Sequence, residues 1–232
     1  MKKTIAIHQP DFMPWLGFFK KVLHSDIFCV LDHVVNNPRD SAFWCRRVKI
    51  MLNGKEHWLS IPIKKEKGVV VKPINTMELG ENKKALKQIY SAYGKAEYYD
   101  DYKYLVEDYF NSDINSLVKR NMNFIEEVLN LLEYNGELVY SSSIVDDKLT
   151  SNNMLVKLVK ELGGNTYLAG DGATGYQENE IFSSNNVQVI YNNFSTLEYT
   201  QAGNNNFMGG LSVIDALFNI GATRTKELIN LS

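Results

Sequence analysis

The chain has 232 residues, of which 44% are hydrophobic and 22% are charged. A chain of this length and composition can bury a sizeable core, in one large domain or two small ones. Its formal net charge of −2 provides no excess of basic side chains for nucleic acids or anionic membranes, so we expect neither as a partner.

The N-terminal third opens with a predicted strand, a tight loop, an amphipathic helix and a second strand. Residues 4–7 are a short apolar run, and residues 27–31 are a second one. Between them, apolar residues recur over 15–23 at roughly helical spacing. This spacing predicts that Lys20 and Lys21 face the solvent.

A β-hairpin is predicted next. The Asn53-Gly54 pair separates two apolar-rich runs, and this is the strongest short-range hairpin signal that a sequence carries. It predicts strands at 47–52 and 56–63. A further strand is predicted near 69–74, after a charged turn.

The remaining chain first changes character and then returns to alternating elements. Over 81–135, apolar and tyrosine side chains recur at helical intervals and predict three helices. A strand near 138–141, a helix over 151–162 and strands at 166–169 and 187–191 follow. Alternating strands and helices are typical of parallel pairing.

The pattern therefore predicts an α/β, Rossmann-like fold with a mainly parallel sheet, a β-hairpin insertion and a helical subdomain. We expect the α/β core to comprise residues 1–80 and 136–232, and the helical subdomain to comprise residues 81–135. Together they would form a single domain overall.

We expect a cytoplasmic protein, because the sequence shows no targeting signal and its two cysteines suit a reducing compartment. The apolar run after Met-Lys-Lys ends within five residues, too soon for a secretory signal, and no later stretch has the roughly 20 apolar residues that span a bilayer. Cys29 and Cys45 lack metal-ligand spacing and are expected to be small buried thiols in a reducing compartment. We expect no metal site and no membrane association.

His8, Gln9 and Asp32 follow the first two predicted strands. Ligands of open parallel sheets bind beyond the carboxyl ends of the strands, so these side chains are expected to share one cleft. A neutral imidazole can exchange a proton near pH 7 or hydrogen-bond a phosphate or a sugar hydroxyl. We predict His8 and Asp32 as catalytic and Gln9 as substrate-binding. The alternative is a histidine that caps a turn and bonds only to the backbone.

A cluster of cations lies beside Trp44 and precedes the hairpin. Arginine forks suit phosphate oxygens, and an aromatic ring suits the face of a nucleobase or sugar, so we predict that Trp44, Arg46 and Lys49 bind substrate. The alternative is a solvated strand face, because alternation places Arg47 and Lys49 opposite Arg46.

The glycine-rich loop over 170–175 has the composition of a phosphate-cradling loop. It fits neither the P-loop nor the dinucleotide-binding pattern. Because it follows a predicted strand, Gly170 and Asp171 are predicted to belong to a site for phosphate or carboxylate formed by backbone amides. Asp171 as a simple turn residue is the alternative.

Several of these residues belong to one wider pattern. Its members are His8-Gln9-Pro10, residues 14–19, 28–32, Arg46, Lys49, residues 167–170, Tyr176, Tyr199, Gln201, Phe207, residues 211–215, Phe218, Asn219 and Gly221. With this set the chain resembles the WbqC-like family over essentially its entire length. The resemblance implies work on sugars or sugar nucleotides, because the family occurs in bacterial gene sets for O-antigen and other surface polysaccharides. It also adds Trp15, Tyr176 and Gln201 to the predicted substrate-binding residues.

Two departures from the family pattern suggest a different choice of substrate. His33 stands where a second acidic residue is expected, and the loop over 171–175 differs from the usual stretch.

These observations predict a transferase of O-antigen or surface-polysaccharide biosynthesis that acylates or aminoacylates the amine of a nucleotide-linked amino sugar, with a dTDP-linked sugar as one candidate. His8 would be the general base, Arg46 and Lys49 would hold phosphate, and the loop over 170–175 would hold an activated acyl donor. One alternative is a nucleotidyltransferase or ATP-dependent ligase on a sugar-pathway substrate, using ATP and Mg²⁺. Another is a non-catalytic sugar-nucleotide-binding protein. A homodimer is one candidate assembly.

Overall fold

The structure is a computed structural model that describes residues 2–64, 66–69, 72–145, 151–172, 179–203 and 206–232. Its strands are β1 (Thr4–His8), β2 (Ile27–Val30), β3 (Val35–Asn36), β4 (Arg47–Leu52), β5 (Lys55–Ser60), β6 (Lys72–Pro73), β7 (Glu137–Tyr140), β8 (Thr166–Ala169) and β9 (Gln188–Tyr191). Its α-helices are α1 (Leu16–Leu23), α2 (Ala85–Tyr93), α3 (Tyr99–Tyr102), α4 (Tyr104–Asn111), α5 (Leu117–Leu131), α6 (Ser151–Glu161), α7 (Asn179–Ser184) and α8 (Val213–Leu231).

The central sheet has five parallel strands in the spatial order β7-β2-β1-β8-β9. Counted along the chain, this order is 3-2-1-4-5, which is the order of a Rossmann-type sheet. The chain builds outwards from β1 through β2 to β7 and then returns to the other side of β1 for β8. The predicted parallel α/β architecture is confirmed, and the order reverses between β1 and β8.

Each face of the sheet is covered by helices. Ile5 and Ile7 of β1 belong to a core with α6 and α7, whereas Ala6, which alternates with them, belongs to a larger core with α1, α8 and the helices α2 to α5. Burial on both faces explains why the strands read as nearly continuous apolar runs.

The predicted hairpin is formed by β4 and β5, whose six residue pairs run from Arg47 opposite Ser60 to Leu52 opposite Lys55. Asn53 and Gly54 both have positive φ, 53° and 69°, as a two-residue type I′ turn requires. The predicted strand over 69–74 is shorter than expected: β6 has only two residues and pairs with β3, while residues 70 and 71 lie outside the described residues.

The helical region contains four helices instead of the predicted three, because α3 and α4 are separate elements. α8 was not predicted as a helix. It begins after Ser212, whose hydroxyl accepts a hydrogen bond from the amide of Ile214, and it is kinked at Gly221. Within the described part of the chain, no helix combines the length and the apolar character needed to cross a membrane.

Candidate functional site

A cavity of about 350 Å³ lies beside His8, the last residue of β1. Its walls come from the loop after β1, the start of β4 and the segment before α8. The lining residues are His8, Asp11, Phe12, Pro14, Trp15, Trp44, Arg47, Val48, Lys49 and Gly210. We call this the His8 cavity. Its position at the carboxyl end of β1, where the strand order reverses, is where parallel α/β sheets bind ligands.

Three of the described cavities are larger. Two of them, of about 510 and 590 Å³, flank α4 and α5 and have no lining residue from the five parallel strands. The third, of about 490 Å³, includes Thr166 and Gln188, the first residues of β8 and β9, and so lies at the amino ends of the strands, opposite the ends where such sheets bind ligands. Position in the fold therefore favours the smaller His8 cavity as the functional site.

Asn121 of α5 holds two walls of the His8 cavity together. Its fully buried Nδ2 donates to the carbonyls of Pro10, at 2.8 Å, and Cys45, at 2.7 Å. Its Oδ1 accepts a hydrogen bond of 2.7 Å from the hydroxyl of Tyr109. The amide thereby fixes the loop after β1 against the turn before β4.

Ser212 fixes the third wall. Its hydroxyl donates to the carbonyl of Met13 at 2.7 Å, and its amide donates to the carbonyl of Lys49 at 2.9 Å. The next amide, of Val213, donates to the carbonyl of Pro14 at 2.8 Å. The beginning of α8 is thus connected to both other walls.

His8 keeps about a third of its side chain exposed, at 34%. Its Nδ1 lies 3.0 Å from the carbonyl oxygen of Gln9, and its ring packs edge-on against Phe18. A carbonyl can only accept, so a neutral His8 carries its proton on Nδ1 and leaves Nε2 as an acceptor. Withdrawal from water lowers the pKa of His8 to about 3, and the nearby Lys21 lowers it further, against the Gln9 hydrogen bond.

Asp11 is the second titratable residue of the cavity, and sequence reasoning did not select it. Its Oδ2 lies 3.7 Å from Nδ1 of His8, and its Oδ1 accepts a weak hydrogen bond of 3.6 Å from the thiol of Cys45. Burial raises the pKa of Asp11 to about 7, although Cys45 and Lys21 act in the opposite direction. A neutral imidazole and a carboxyl group that ionises near pH 7 are therefore adjacent.

Lys21 is close enough to this pair to influence the pKa of both groups, and it is buried, so the prediction that it faces solvent is wrong. Its ammonium donates to the carbonyl of Ile7 at 2.6 Å. Lys21 follows Gly17 and Phe18 by one helical turn and shares the buried face of α1 with them. Burial lowers its pKa to about 7, and the neighbouring Asp11 partly opposes this.

Aromatic and cationic side chains also line the His8 cavity. Trp15 and Trp44 are 37% and 46% exposed, the most exposed aromatic rings of the lining. The guanidinium of Arg47 stacks 3.7 Å from the ring centre of Trp58, which also contacts Trp44. The ammonium of Lys49 pairs with Glu56 at 2.8 Å.

Trp15 is seated by two contacts. Its indole lies over Gly17, where a Cβ would come within 2.5 Å of the ring, and its edge packs against Phe194. Asp171 fixes the backbone at Phe194. Its carboxylate accepts hydrogen bonds from the amides of Asn193, at 2.6 Å, and Phe194, at 3.0 Å.

The predicted site residues divide into two groups. His8, Trp15, Trp44 and Lys49 line the His8 cavity together. Arg46 does not: it lines a neighbouring cavity of about 260 Å³. The reason is local, since Arg46 ends a 3-10 turn and Arg47 begins β4, so the two consecutive side chains diverge.

Gln9 and Asp32 hold other segments of the protein. The side-chain oxygen of Gln9 accepts hydrogen bonds from Asn36, at 3.1 Å, and from the thiol of Cys45, at 3.4 Å. Asp32 is buried and accepts hydrogen bonds from the hydroxyls of Ser141, at 3.0 Å, and Ser142, at 2.6 Å. These contacts connect the end of β2 to the residues after β7, away from the lining of the His8 cavity.

The C-terminal candidates also make contacts within the protein. Gln201 is buried, donates to Asp215 at 2.8 Å and exchanges hydrogen bonds with the backbone of Met208. Gly170 follows β8 directly, and Tyr176 lies outside the described residues. In the described ranges, no group of three or more His, Cys, Asp or Glu side chains is arranged to hold a metal ion. Cys29 and Cys45 are both free, buried thiols, as expected.

Sequence reasoning missed Asp11, Lys21, Arg47 and Asn121. The spacing His8-x-x-Asp11 after an apolar run was an available signal for the first of these. The others depend on partners that are distant in sequence, which no local pattern reveals.

Comparison with known proteins matches this chain to one family. The sequence model of the WbqC-like protein family matches residues 9–227. An uncharacterized protein of Mycobacterium tuberculosis (strain ATCC 25618 / H37Rv), Rv1507c, is 24% identical over 228 residues, which cover 95% of each chain. No solved structure matches the chain.

Proposed function

The chain belongs to the WbqC-like protein family, and we propose that it is a transferase of surface-polysaccharide biosynthesis that acylates or aminoacylates the amine of a nucleotide-linked amino sugar. The observation that carries the proposal is the pairing of His8 with Asp11 in a cavity that two tryptophan rings and two cations also line. Acyl transfer to an amine requires the removal of a proton, and the sugar and its phosphate require stacking and positive charge.

The amino sugar and its first phosphate occupy the His8 cavity. Exposed Trp15 and Trp44 provide apolar faces for a pyranose ring or a base. Arg47 and Lys49 provide donors for phosphate oxygens. The volume of about 350 Å³ is at the low end for ligand cavities, so it suits a sugar with an adjoining phosphate better than a complete nucleotide sugar.

His8 removes the proton during transfer. The lone pair of the sugar amine attacks the acyl carbon of an activated donor, the new bond from nitrogen to carbon forms, and the bond from carbon to the donor's leaving group breaks. Nε2 of His8 accepts the proton that the nitrogen loses. Ionised Asp11, 3.7 Å from Nδ1, stabilises the imidazolium and so compensates for the low pKa of an isolated His8 in this position.

Binding can be tested with the protein's own fluorescence. The chain has three tryptophans: Trp15 and Trp44 line the His8 cavity, and Trp58 packs against Trp44. We expect nucleotide-linked amino sugars to change this fluorescence and to raise the melting temperature, by an amount that corresponds to about 2.7 kcal/mol when the ligand is at 100 times its Kd. If no nucleotide sugar produces either effect, the proposal fails.

Turnover distinguishes the proposal from its alternatives. With thioester and aminoacyl-ester donors, mass spectrometry should detect an acylated sugar nucleotide from an amino sugar and none from the matched sugar that carries a hydroxyl instead. A strict requirement for ATP and Mg²⁺ would indicate the ligase or nucleotidyltransferase alternative. Binding without any turnover would indicate a sugar-nucleotide-binding protein.

A further inference from the structure

A second cavity, of about 260 Å³, is lined by Arg46, the residue that precedes Arg47 of the His8 cavity. The two cavities have no lining residue in common. The lining residues of the second cavity are Pro38, Arg39, Arg46, Pro62, Ile63, Lys64, Glu66, Val69 and Lys72. We call it the Arg46 cavity. Its lining includes four cationic side chains and one carboxylate, which makes it the more cationic of the two.

The two lysines of the Arg46 cavity already have partners. The ammonium of Lys64 lies 3.0 Å from the carboxylate of Glu78. Lys72 is buried, pairs with Glu66 and donates to the carbonyl of Thr76 at 3.3 Å. Neither lysine therefore needs a ligand for its charge to be compensated.

The two arginines differ from the lysines. Among the described residues, neither the exposed Arg39 nor the half-buried Arg46 has a carboxylate within 4.0 Å of its guanidinium, and neither guanidinium donates a hydrogen bond to the protein. In addition, Nε of Arg46 is buried without a partner. A buried donor without an acceptor is costly, and a guanidinium presents several donors in one plane.

The positive charge of Arg47 adds to this cost. Burial lowers the pKa of Arg46, and the adjacent guanidinium of Arg47 lowers it further. An anion in the Arg46 cavity would accept from the unpartnered donors and offset the repulsion between the two neighbouring cations.

We propose that the Arg46 cavity binds the phosphate group of a small organic molecule, held between the guanidinium groups of Arg39 and Arg46. Two arginine forks match the geometry and the charge of a phosphate dianion. The apolar walls, formed by Pro38, Pro62, Ile63 and Val69, contact the organic part, so an ester is favoured over inorganic phosphate. This site is independent of the proposed function, since it shares no lining residue with the His8 cavity.

The test uses the full chain and isothermal titration calorimetry with phenyl phosphate and inorganic phosphate as probes. We expect phenyl phosphate to bind more tightly than inorganic phosphate. Arg39→Gln and Arg46→Gln should each weaken phenyl phosphate by roughly tenfold or more, the effect of losing a charge-assisted hydrogen bond. Arg224→Gln, which removes an exposed arginine of α8 that pairs with Glu227, is the matched control and should bind like the wild type.

A further variant, Arg47→Gln, shows which cavity is occupied. If Arg47→Gln still binds phenyl phosphate, the Arg46 cavity is supported. If Arg47→Gln loses phenyl phosphate while Arg39→Gln and Arg46→Gln bind it fully, the proposal is overturned and the phosphate belongs in the His8 cavity. The proposal is also overturned if neither phenyl phosphate nor inorganic phosphate binds to the wild type. Arg39 is exposed, so Arg39→Gln remains decisive if Arg46→Gln does not fold.

Discussion

Nδ1 of His8 and Oδ2 of Asp11 lie 3.7 Å apart at the carboxyl end of the central strand. Burial acts on the two groups in opposite directions, because it lowers the pKa of the histidine to about 3 and raises that of the carboxyl group to about 7. Both changes favour the neutral forms. Neighbouring groups whose environments move their pKa values apart are typical of acid–base sites.

The first prediction concerns pH. If ionised Asp11 stabilises the imidazolium of His8, kcat/KM should rise with pH through an apparent pKa near 7, the value to which burial raises Asp11. Asp11→Asn should lower kcat/KM by roughly 10²-fold above that pH and should remove this limb of the profile. A variant that keeps the limb would show that another group titrates.

The second prediction separates proton transfer from binding at His8. His8→Gln keeps a polar side chain of similar size that cannot take up a proton near neutral pH. Turnover should fall by roughly 10²–10⁴-fold, while the affinity for the nucleotide sugar, measured by tryptophan fluorescence, stays close to that of the wild type. Full turnover would reduce His8 to a ligand contact.

The third prediction ranks the cations of the His8 cavity. The guanidinium of Arg47 stacks on Trp58, whereas the ammonium of Lys49 already pairs with Glu56. Arg47→Gln should therefore weaken a nucleotide sugar by roughly 1.5–3 kcal/mol, and Lys49→Gln by less than about 1 kcal/mol. Circular dichroism must show that Arg47→Gln is folded, because the guanidinium also packs.

Arg46→Gln completes this comparison. The sequence placed Arg46 with Lys49 on the phosphate, and the structure places it at a different cavity. If Arg46→Gln weakens the nucleotide sugar more than Arg47→Gln does, the assignment from sequence is the better one.

Local signals in the sequence were sufficient for much of the fold. The hairpin follows from Asn53-Gly54, and β8 has the predicted bounds, because an apolar run followed by glycine marks a buried strand. The spatial order of the strands was not available, since it depends on pairing between segments that are distant in sequence. By contrast, α8 was missed although Ile214, Leu217 and Phe218 recur at helical spacing, and Gly221 interrupts its pattern.

The candidate site was only partly predictable. Position after a strand correctly indicated His8 as a cavity residue, but the same reasoning applied to Asp32 did not anticipate its bonds to the serines after β7. Polar residues are expected at the surface, whereas Lys21 is buried and donates to the carbonyl of Ile7. Such compensation within the core cannot be read from residue type.

The fourth prediction uses the contact between Trp15 and Gly17. A Cβ at residue 17 would lie within 2.5 Å of the indole, so Gly17→Ala should displace the Trp15 ring from its position against the helix. The affinity for the nucleotide sugar should fall as in Trp15→Ala, by roughly tenfold or less. Unchanged affinity in both variants would remove Trp15 from the binding site.

The fifth prediction concerns stability and Lys21. Burial lowers its pKa from 10.5 to about 7, so between these values the unfolded state binds a proton that the folded state does not. The free energy of unfolding of the wild type should therefore gain a contribution of roughly 1.4 kcal/mol per pH unit as the pH rises across this range. Below pH 7 this contribution is absent, because the lysine is protonated in both states.

Lys21→Met removes this contribution and leaves a side chain of similar length. Relative to the wild type, the variant should have its largest stability advantage at about pH 6 and should lose it progressively as the pH rises from about 7 towards 10.5, as measured by urea unfolding. Loss of the Lys21 charge also raises the pKa of Asp11 further. This change makes the stability advantage of the variant fall as the pH rises, as the loss of Lys21 itself does. Lys20→Met, on the more exposed side of α1, controls for the loss of a lysine as such. If the wild type and Lys21→Met have parallel pH dependences, Lys21 keeps its proton across this range and the buried cluster is charged at neutral pH.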